Sequence, residues 1–247
     1  MVRELRRYFG LYELLNKQIR QLKNEIHGVL LDNGIRDRVL GNRLVDNPTR
    51  AEELLKTVEL SAASRACIQT SLTLLASLQD QKENLKRAIC QAGRPLEAEV
   101  KLLISIRGVT PLLALVFLSE VGDITRFGSA RRLHSYLGVV PTVRSSGGVT
   151  HNGRINRRSR GLTRTLFTQA VIHLVDSSPV LARFYGELVA RKGYGRARIA
   201  LLRKIFSMMR RMLLAGEVYR WTESKLYEKK LSGYAKELKK GETPSAA

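Results

Sequence analysis

Two adjacent hydroxyls and two adjacent glycines, Ser145-Ser146-Gly147-Gly148, follow Arg144 and precede five more arginines: Arg154, Arg157, Arg158, Arg160 and Arg164. A serine hydroxyl can attack a phosphodiester once it is activated and the crowded phosphorus centre is neutralised. Metals commonly supply that neutralisation. Arginine does so too, because its planar fork meets phosphate oxygens in pairs. Ser146 is the better nucleophile, since Gly147 directly follows it and a residue without Cβ lets backbones approach closely. Ser145 is the second choice, with Arg144, Arg154 and Arg157 as charge clamps. His151 could carry a proton, although a lone loop histidine is more often a surface residue. The plainer reading of these residues is a passive phosphate-binding loop, and it stays open.

The surroundings strengthen the phosphate reading. Between Asp123 and Asp176 there is no acidic residue and no lysine, yet there are nine arginines, at 126, 131, 132, 144, 154, 157, 158, 160 and 164. The whole chain of 247 residues carries a formal net charge of +21. Such a charge favours a polyanion partner, nucleic acid first. A ribosome-associated RNA binder is the blander alternative, and an anionic membrane surface comes third. Arg131 and Arg132 join the expected phosphate contacts from a helix start. Lys192 and Arg196 join them from the glycine-spaced turn Arg191-Lys192-Gly193-Tyr194-Gly195-Arg196. Cys67 and Cys90 are too few for a zinc site or a disulfide framework and read as reduced, buried thiols. The four histidines never fall at ligand spacing, so no metal and no cofactor are expected of this chain. No signal peptide opens it, and its longest apolar run, Leu112 to Leu118, is far short of the roughly 20 residues that span a bilayer. A cytoplasmic, nucleoid-associated protein without membrane contact is the expectation.

Helices must position these groups. Leu5, Tyr8, Tyr12, Leu15, Ile19, Leu22, Ile26 and Val29 alternate three and four apart, the seam of a coiled coil over residues 3–31. Asn33-Gly34 ends it. A second long helix is expected from Ala66 to about Gln91, and two long helices with a short connector predict an antiparallel pair. Residues 1–93 therefore read as a dimerisation arm, or else as helices packed within their own domain. Gly93-Arg94-Pro95 marks the boundary to a helical domain over 96–221. Within it, Gly108-Val109-Thr110-Pro111 between two apolar helices resembles a helix-hairpin-helix, whose turn offers backbone N–H groups to phosphate. Gly108 and Thr110 are its expected contacts, and a glycine-broken pair of core helices is the alternative. The serine loop, 139–160, predicts a short β-hairpin with turns at Gly147-Gly148 and Asn152-Gly153. Ser178-Pro179 should start a helix, and another should follow the basic turn, through Ile199, Leu202, Phe206, Met209 and Leu213. Residues 222–247 read as a basic, partly disordered tail. The fold class is mainly α, with one hairpin insertion.

Several segments together carry a resemblance. Ile106-Arg107-Gly108-Val109-Thr110-Pro111, Phe127, Leu137-Gly138-Val139-Val140-Pro141, Ser145-Ser146-Gly147-Gly148, Gly153-Arg154-Ile155 and Leu162-Thr163-Arg164 are similar, in this order, to the C-terminal domain of insertion sequence 110/116/902 family transposases. That family includes the Piv-type DNA invertases. The family's serine falls on Ser146. The resemblance implies DNA transposition or recombination by strand cleavage and transfer through that hydroxyl. It further implies an element-encoded bridge RNA as guide and a dimer or tetramer built through the coiled coil. Family members also carry an N-terminal RuvC-like domain with four acidic metal ligands. This chain opens on the arm, so that domain, and the Mg2+ it would hold, are expected to be missing here. A truncated, catalytically inactive remnant that only binds nucleic acid is the competing expectation.

Overall fold

The computed structural model describes residues 1–36, 38–46, 51, 53, 55–146, 149–155, 161–176 and 178–240. It is mainly helical, and it divides into two compact units, Tyr8–Arg87 and Met1–Arg7 with Ala88–Ala247. The divisions fall between Arg7 and Tyr8 and between Arg87 and Ala88.

Helices α1 (Val2–Asp32), α2 (Arg38–Asp46) and α3 (Ala62–Ala92) make the first unit, save Val2–Arg7 and Ala88–Ala92, which belong to the second. Residues 51, 53, 55 and 56 are also helical. Helices α1 and α3 are antiparallel. Asn33 Nδ2 donates to Ser64 Oγ at 2.9 Å, while Lys82 Nζ lies 5.5 Å from the centre of the Tyr12 ring. The apolar stripe is buried within the same chain: Ile19, Ile26 and Leu30 join Leu44, Leu55, Ile68, Leu72 and Leu75 in one cluster. Helix α3 starts four residues earlier than the apolar spacing indicates. Ser61 caps it, its hydroxyl accepting from Ser64 N at 3.1 Å and its carbonyl from Arg65 N at 2.9 Å. The small polar residues of that first turn carry no periodic signal. Cys67, expected to be buried, is exposed on this helix.

The second unit is built from α4 (Glu97–Ile104), α5 (Pro111–Val121), α6 (Ala130–Tyr136), the strands β1 (Pro141–Ser146) and β2 (Val149–Ile155), α7 (Leu162–Gln169), α8 (Val171–Val175), α9 (Pro179–Ala215) and α10 (Ser224–Lys240). Helix α5 is central, with every residue from Leu113 to Val121 buried, as an all-round apolar sequence requires. Its Phe117 stacks on Phe206 of α9 at 5.6 Å between centroids, and Phe167 of α7 meets both edge-on at 6.4 and 5.0 Å.

Helix α9 is two helices. Gly193 interrupts it with φ 73° and ψ 165°, a conformation essentially confined to glycine. Lys204 Nζ lies 5.0 Å from the Phe184 ring centre, whereas a straight helix would hold those residues about 30 Å apart. The chain therefore folds back at Gly193, where the sequence places its basic turn. Residues 224–240, expected as a tail, form α10 instead, with Tyr234 and Leu238 buried. Its many lysines mask an apolar stripe only two residues deep. The last residues, 241–247, lie outside the described part.

Candidate functional site

The serine segment is an antiparallel hairpin, and its ends are held by the core. Helix α6 begins at Ser129, whose hydroxyl accepts from Arg132 N, and is anchored by buried Leu133. It ends at Gly138 (φ 66°), where Gly138 N donates to Ser135 O at 3.2 Å and Val139 N to His134 O at 3.0 Å. Val139 is fully buried, which fixes the entry to β1. On the exit side Gly161 (φ 77°) opens α7. Buried Thr163 then donates from Oγ1 to Glu120 Oε2 at 2.7 Å. Arg164 ties the two roots together, donating from Nη1 to Gly138 O at 2.9 Å. Glu120 is the buried carboxylate beneath the roots, and its own carbonyl accepts from Arg6 Nη2 and Tyr136 Oη at 3.1 and 3.0 Å.

Along the hairpin, Ser146 pairs with Val149, Ser145 with Thr150, Arg144 with His151 and Val143 with Asn152. The register then shifts before Pro141 meets Ile155. Asn152-Gly153, expected as a turn, lies inside β2 at this irregularity. A side chain at Gly153 would run into Thr142, so the glycine allows the close cross-strand approach that a bulge needs. Backbone positions place Arg144, Ser145 and Ser146 on β1 and Arg154 on β2. Gly147, Gly148, Arg157, Arg158 and Arg160 lie outside the described residues.

The other expected contacts are dispersed over the same unit. Arg131 and Arg132 are exposed on α6, and Lys192 and Arg196 are exposed at the tip of the folded-back α9. Arg126 lies over both Phe127 and Tyr136, 4.6 Å from each ring centre, a stack worth about 0.5–1 kcal/mol at such an exposed site. Gly108 (φ 85°) joins α4 to α5 and sits against the backbone of α8, where a Cβ would come within 2.7 Å of His173 C. Thr110 is exposed and caps α5, accepting from Leu113 N at 3.3 Å. Both residues thus have a structural task in the α4–α5 turn.

Three clamps escape a reading by pattern. Lys230 Nζ donates to Ile104 O, Ile106 O and Val109 O at 2.8, 2.8 and 3.0 Å, closing the carbonyl side of the α4–α5 turn. Burial and nearby Arg107 pull its ammonium down to about 8. Arg210, on what looks like a solvent face, donates from Nε and Nη2 to Phe127 O at 3.1 and 2.7 Å. Cys90, on α3 but within this unit, places Sγ 3.2 Å from Glu237 Oε2 of α10, and burial together with that carboxylate pushes its thiol up to about 12. Only the periodicity of α10, around Tyr234 and Leu238, hinted at such docking. Among the described residues no group of three or more His, Cys, Asp and Glu could hold a metal ion.

The fold and the site define a helical, arginine-rich domain that presents a serine-bearing hairpin from roots tied to its core. Residues 100–186, about a third of the chain, match the model of the transposase IS116/IS110/IS902 family. The chain is 27% identical over 210 residues to a probable family 20 transposase of Pseudomonas aeruginosa, covering 81% of this chain and 60% of the relative. An IS110 insertion-element protein of Streptomyces coelicolor is 32% identical over 144 residues, which is 53% of this chain and 35% of the relative. The transposase for insertion sequence element IS1111A of Coxiella burnetii is 30% identical over 148 residues, 58% of this chain and 39% of the relative. The chain thus spans between about a third and three fifths of the length of these relatives. No helix among the described residues is long and apolar enough to cross a membrane.

Proposed function

We propose that this chain is the DNA-handling part of an insertion-element transposase, and that the Ser146 hydroxyl performs strand cleavage and transfer. The observation that carries the reading is that the family match, residues 100–186, encloses the whole hairpin and its acid-free arginine field. In the proposed step the Ser146 oxygen attacks a DNA phosphorus, forming a phosphoserine ester. One DNA hydroxyl leaves, taking the proton. A second DNA hydroxyl then attacks the ester and regenerates the serine. Arg144 and Arg154 neutralise the crowded phosphorus, Ser145 is the reserve nucleophile, and Arg157, Arg158 and Arg160 extend the phosphate contacts. Arg131, Arg132, Lys192 and Arg196 add exposed charge along the strand. A structured guide RNA and a homo-oligomer through the α1–α3 arm belong to the same proposal. No step here is routed through a metal.

Purified chain incubated with labelled insertion-element ends is expected to give a denaturation-resistant adduct. Ser146→Ala should abolish it, and Ser145→Ala should not. Survival of the adduct in Ser146→Ala would remove that hydroxyl from the mechanism. The second reading, a catalytically silent nucleic-acid binder, rests on the net charge of +21 alone. It predicts salt-dependent binding with no adduct in either protein.

A further inference from the structure

Away from the hairpin, the folding-back of α9 makes a second recess. Ser178, Val180 and Leu181 at its start face Lys204, Met208 and Arg211 near its end, and the segment 217–221 completes a cleft of about 230 Å3. Gly216 (φ 69°) turns the chain out of α9, and Tyr219 N donates to buried Ser105 Oγ at 2.9 Å, so the segment is pinned to α4. The lining is of two kinds. One is apolar and unusually open to water: Val180, Val218 and Trp221 are 53, 49 and 49% exposed. The other is cationic, namely Lys204, Arg211 and Arg220. Lys204 lies over Phe184, and the Arg220 guanidinium lies 5.8 Å from the Trp221 ring centre. Among the described residues no carboxylate lies within ion-pair distance of these three cations, although Glu217 also lines the cleft.

We propose that this cleft binds one unpaired nucleotide, its base against Trp221 and its phosphate among Lys204, Arg211 and Arg220. The argument is one of matched chemistry. An indole face and apolar walls accept any base's π-face, and the neighbouring cations neutralise the attached phosphate. A cleft smaller than the about 300–1,000 Å3 of drug-sized sites takes a single base, and a base must be out of its duplex to offer its face. An acidic protein segment would match the charge but leave the indole without a planar partner. The proposal rests on the nucleic-acid reading above, and it gives the protein a means of preferring single-stranded or flipped-out nucleotides.

Trp221 is the single tryptophan of the chain, so its emission reports this cleft alone. The full chain is titrated with oligodeoxythymidylate, with a blunt duplex of equal phosphate count, and with poly-glutamate, while gel shift follows binding independently. Quenching by the single strand and much less by the other two is expected. Trp221→Leu should weaken single-strand binding roughly five- to hundredfold, leave duplex binding unchanged and leave the circular dichroism melt intact. Trp221→Phe should retain most of the affinity. Paired Lys204→Gln and Arg211→Gln substitutions should reduce the single-strand salt slope by about 0.7 for each phosphate they no longer neutralise. Single-strand binding without quenching, or unaltered in Trp221→Leu, overturns the cleft while leaving the transposase reading standing. Equal quenching by poly-glutamate overturns it in favour of a protein partner. Failure of every nucleic acid to shift the protein overturns both.

Discussion

Lys230 shows what one side chain can decide in this fold. The carbonyls of Ile104, Ile106 and Val109 line the junction of α4 and α5, where helical N–H partners run out, and that of Ile106 also accepts from Val109 N at 3.1 Å. A single ammonium from α10 serves all three. Burial is the main reason its value falls from 10.5 to about 8, with the Arg107 charge second. The folded protein thus releases this proton near pH 8, while the unfolded chain keeps it until about 10.5. Between those values the unfolded state binds more protons, so the residue's contribution to stability rises with pH there and is flat below 8. We expect the difference in urea midpoint between the native protein and Lys230→Met to be constant from pH 6 to 7.5 and to grow in the native protein's favour from 8 to 10. A difference that shrinks over that window would mean the three carbonyls hold the proton more tightly than burial expels it.

Among elements, the folded-back α9 depends on a single residue. At φ 73° and ψ 165° Gly193 occupies backbone space that a Cβ makes costly, and nothing lies within 4 Å of where that Cβ would sit. The strain in Gly193→Ala is therefore conformational and not a clash. It should cost about 1–3 kcal/mol, read as a lower unfolding midpoint, and should shift Trp221 emission as the cleft between the two halves loosens. An unchanged midpoint and spectrum would show that α9 reverses without help from this position. The hairpin is rooted differently. Two left-handed glycines, the buried Val139 and Thr163, and the Arg164 bond to Gly138 O fix its ends.

At the scale of the molecule, two cores serve two purposes. The Tyr8–Arg87 unit buries a leucine-isoleucine seam, and the other unit buries the Phe117–Phe167–Phe206 cluster beneath the hairpin roots. Fully buried Leu75 lies in the first of these. Leu75→Ala should destabilise by about 2–5 kcal/mol, with hydrogen exchange accelerated across Tyr8–Arg87 amides and little changed around α5 and α7. Acceleration spread evenly over both units would show that they open as one. The net charge of +21 acts on neither core. On the proposed nucleic-acid reading it sets how the surface meets a polyanion, a meeting that depends on salt.

Much of this was legible in order along the chain, because it rests on local chemistry. The three-and-four spacing over residues 3–31 yields α1, Pro111 and Pro179 begin helices, and the glycine-spaced turn at Gly193 reverses one. The arginine field without carboxylates and the serine-glycine run, both matters of composition and adjacency, carry the proposed phosphate reading and lie inside the segment that matches the family model. Tertiary structure decided the rest. It made the α1 stripe a seam with α3 of the same chain, turned the basic tail into docked α10, drew Asn152-Gly153 into a bulged strand, and set Gly108 against the backbone of α8. It also brought Val180, Arg211 and Trp221 to one cleft. Each of these joins residues far apart in the chain through burial or a shared hydrogen bond, and a one-dimensional pattern carries no record of which distant group will desolvate or satisfy another.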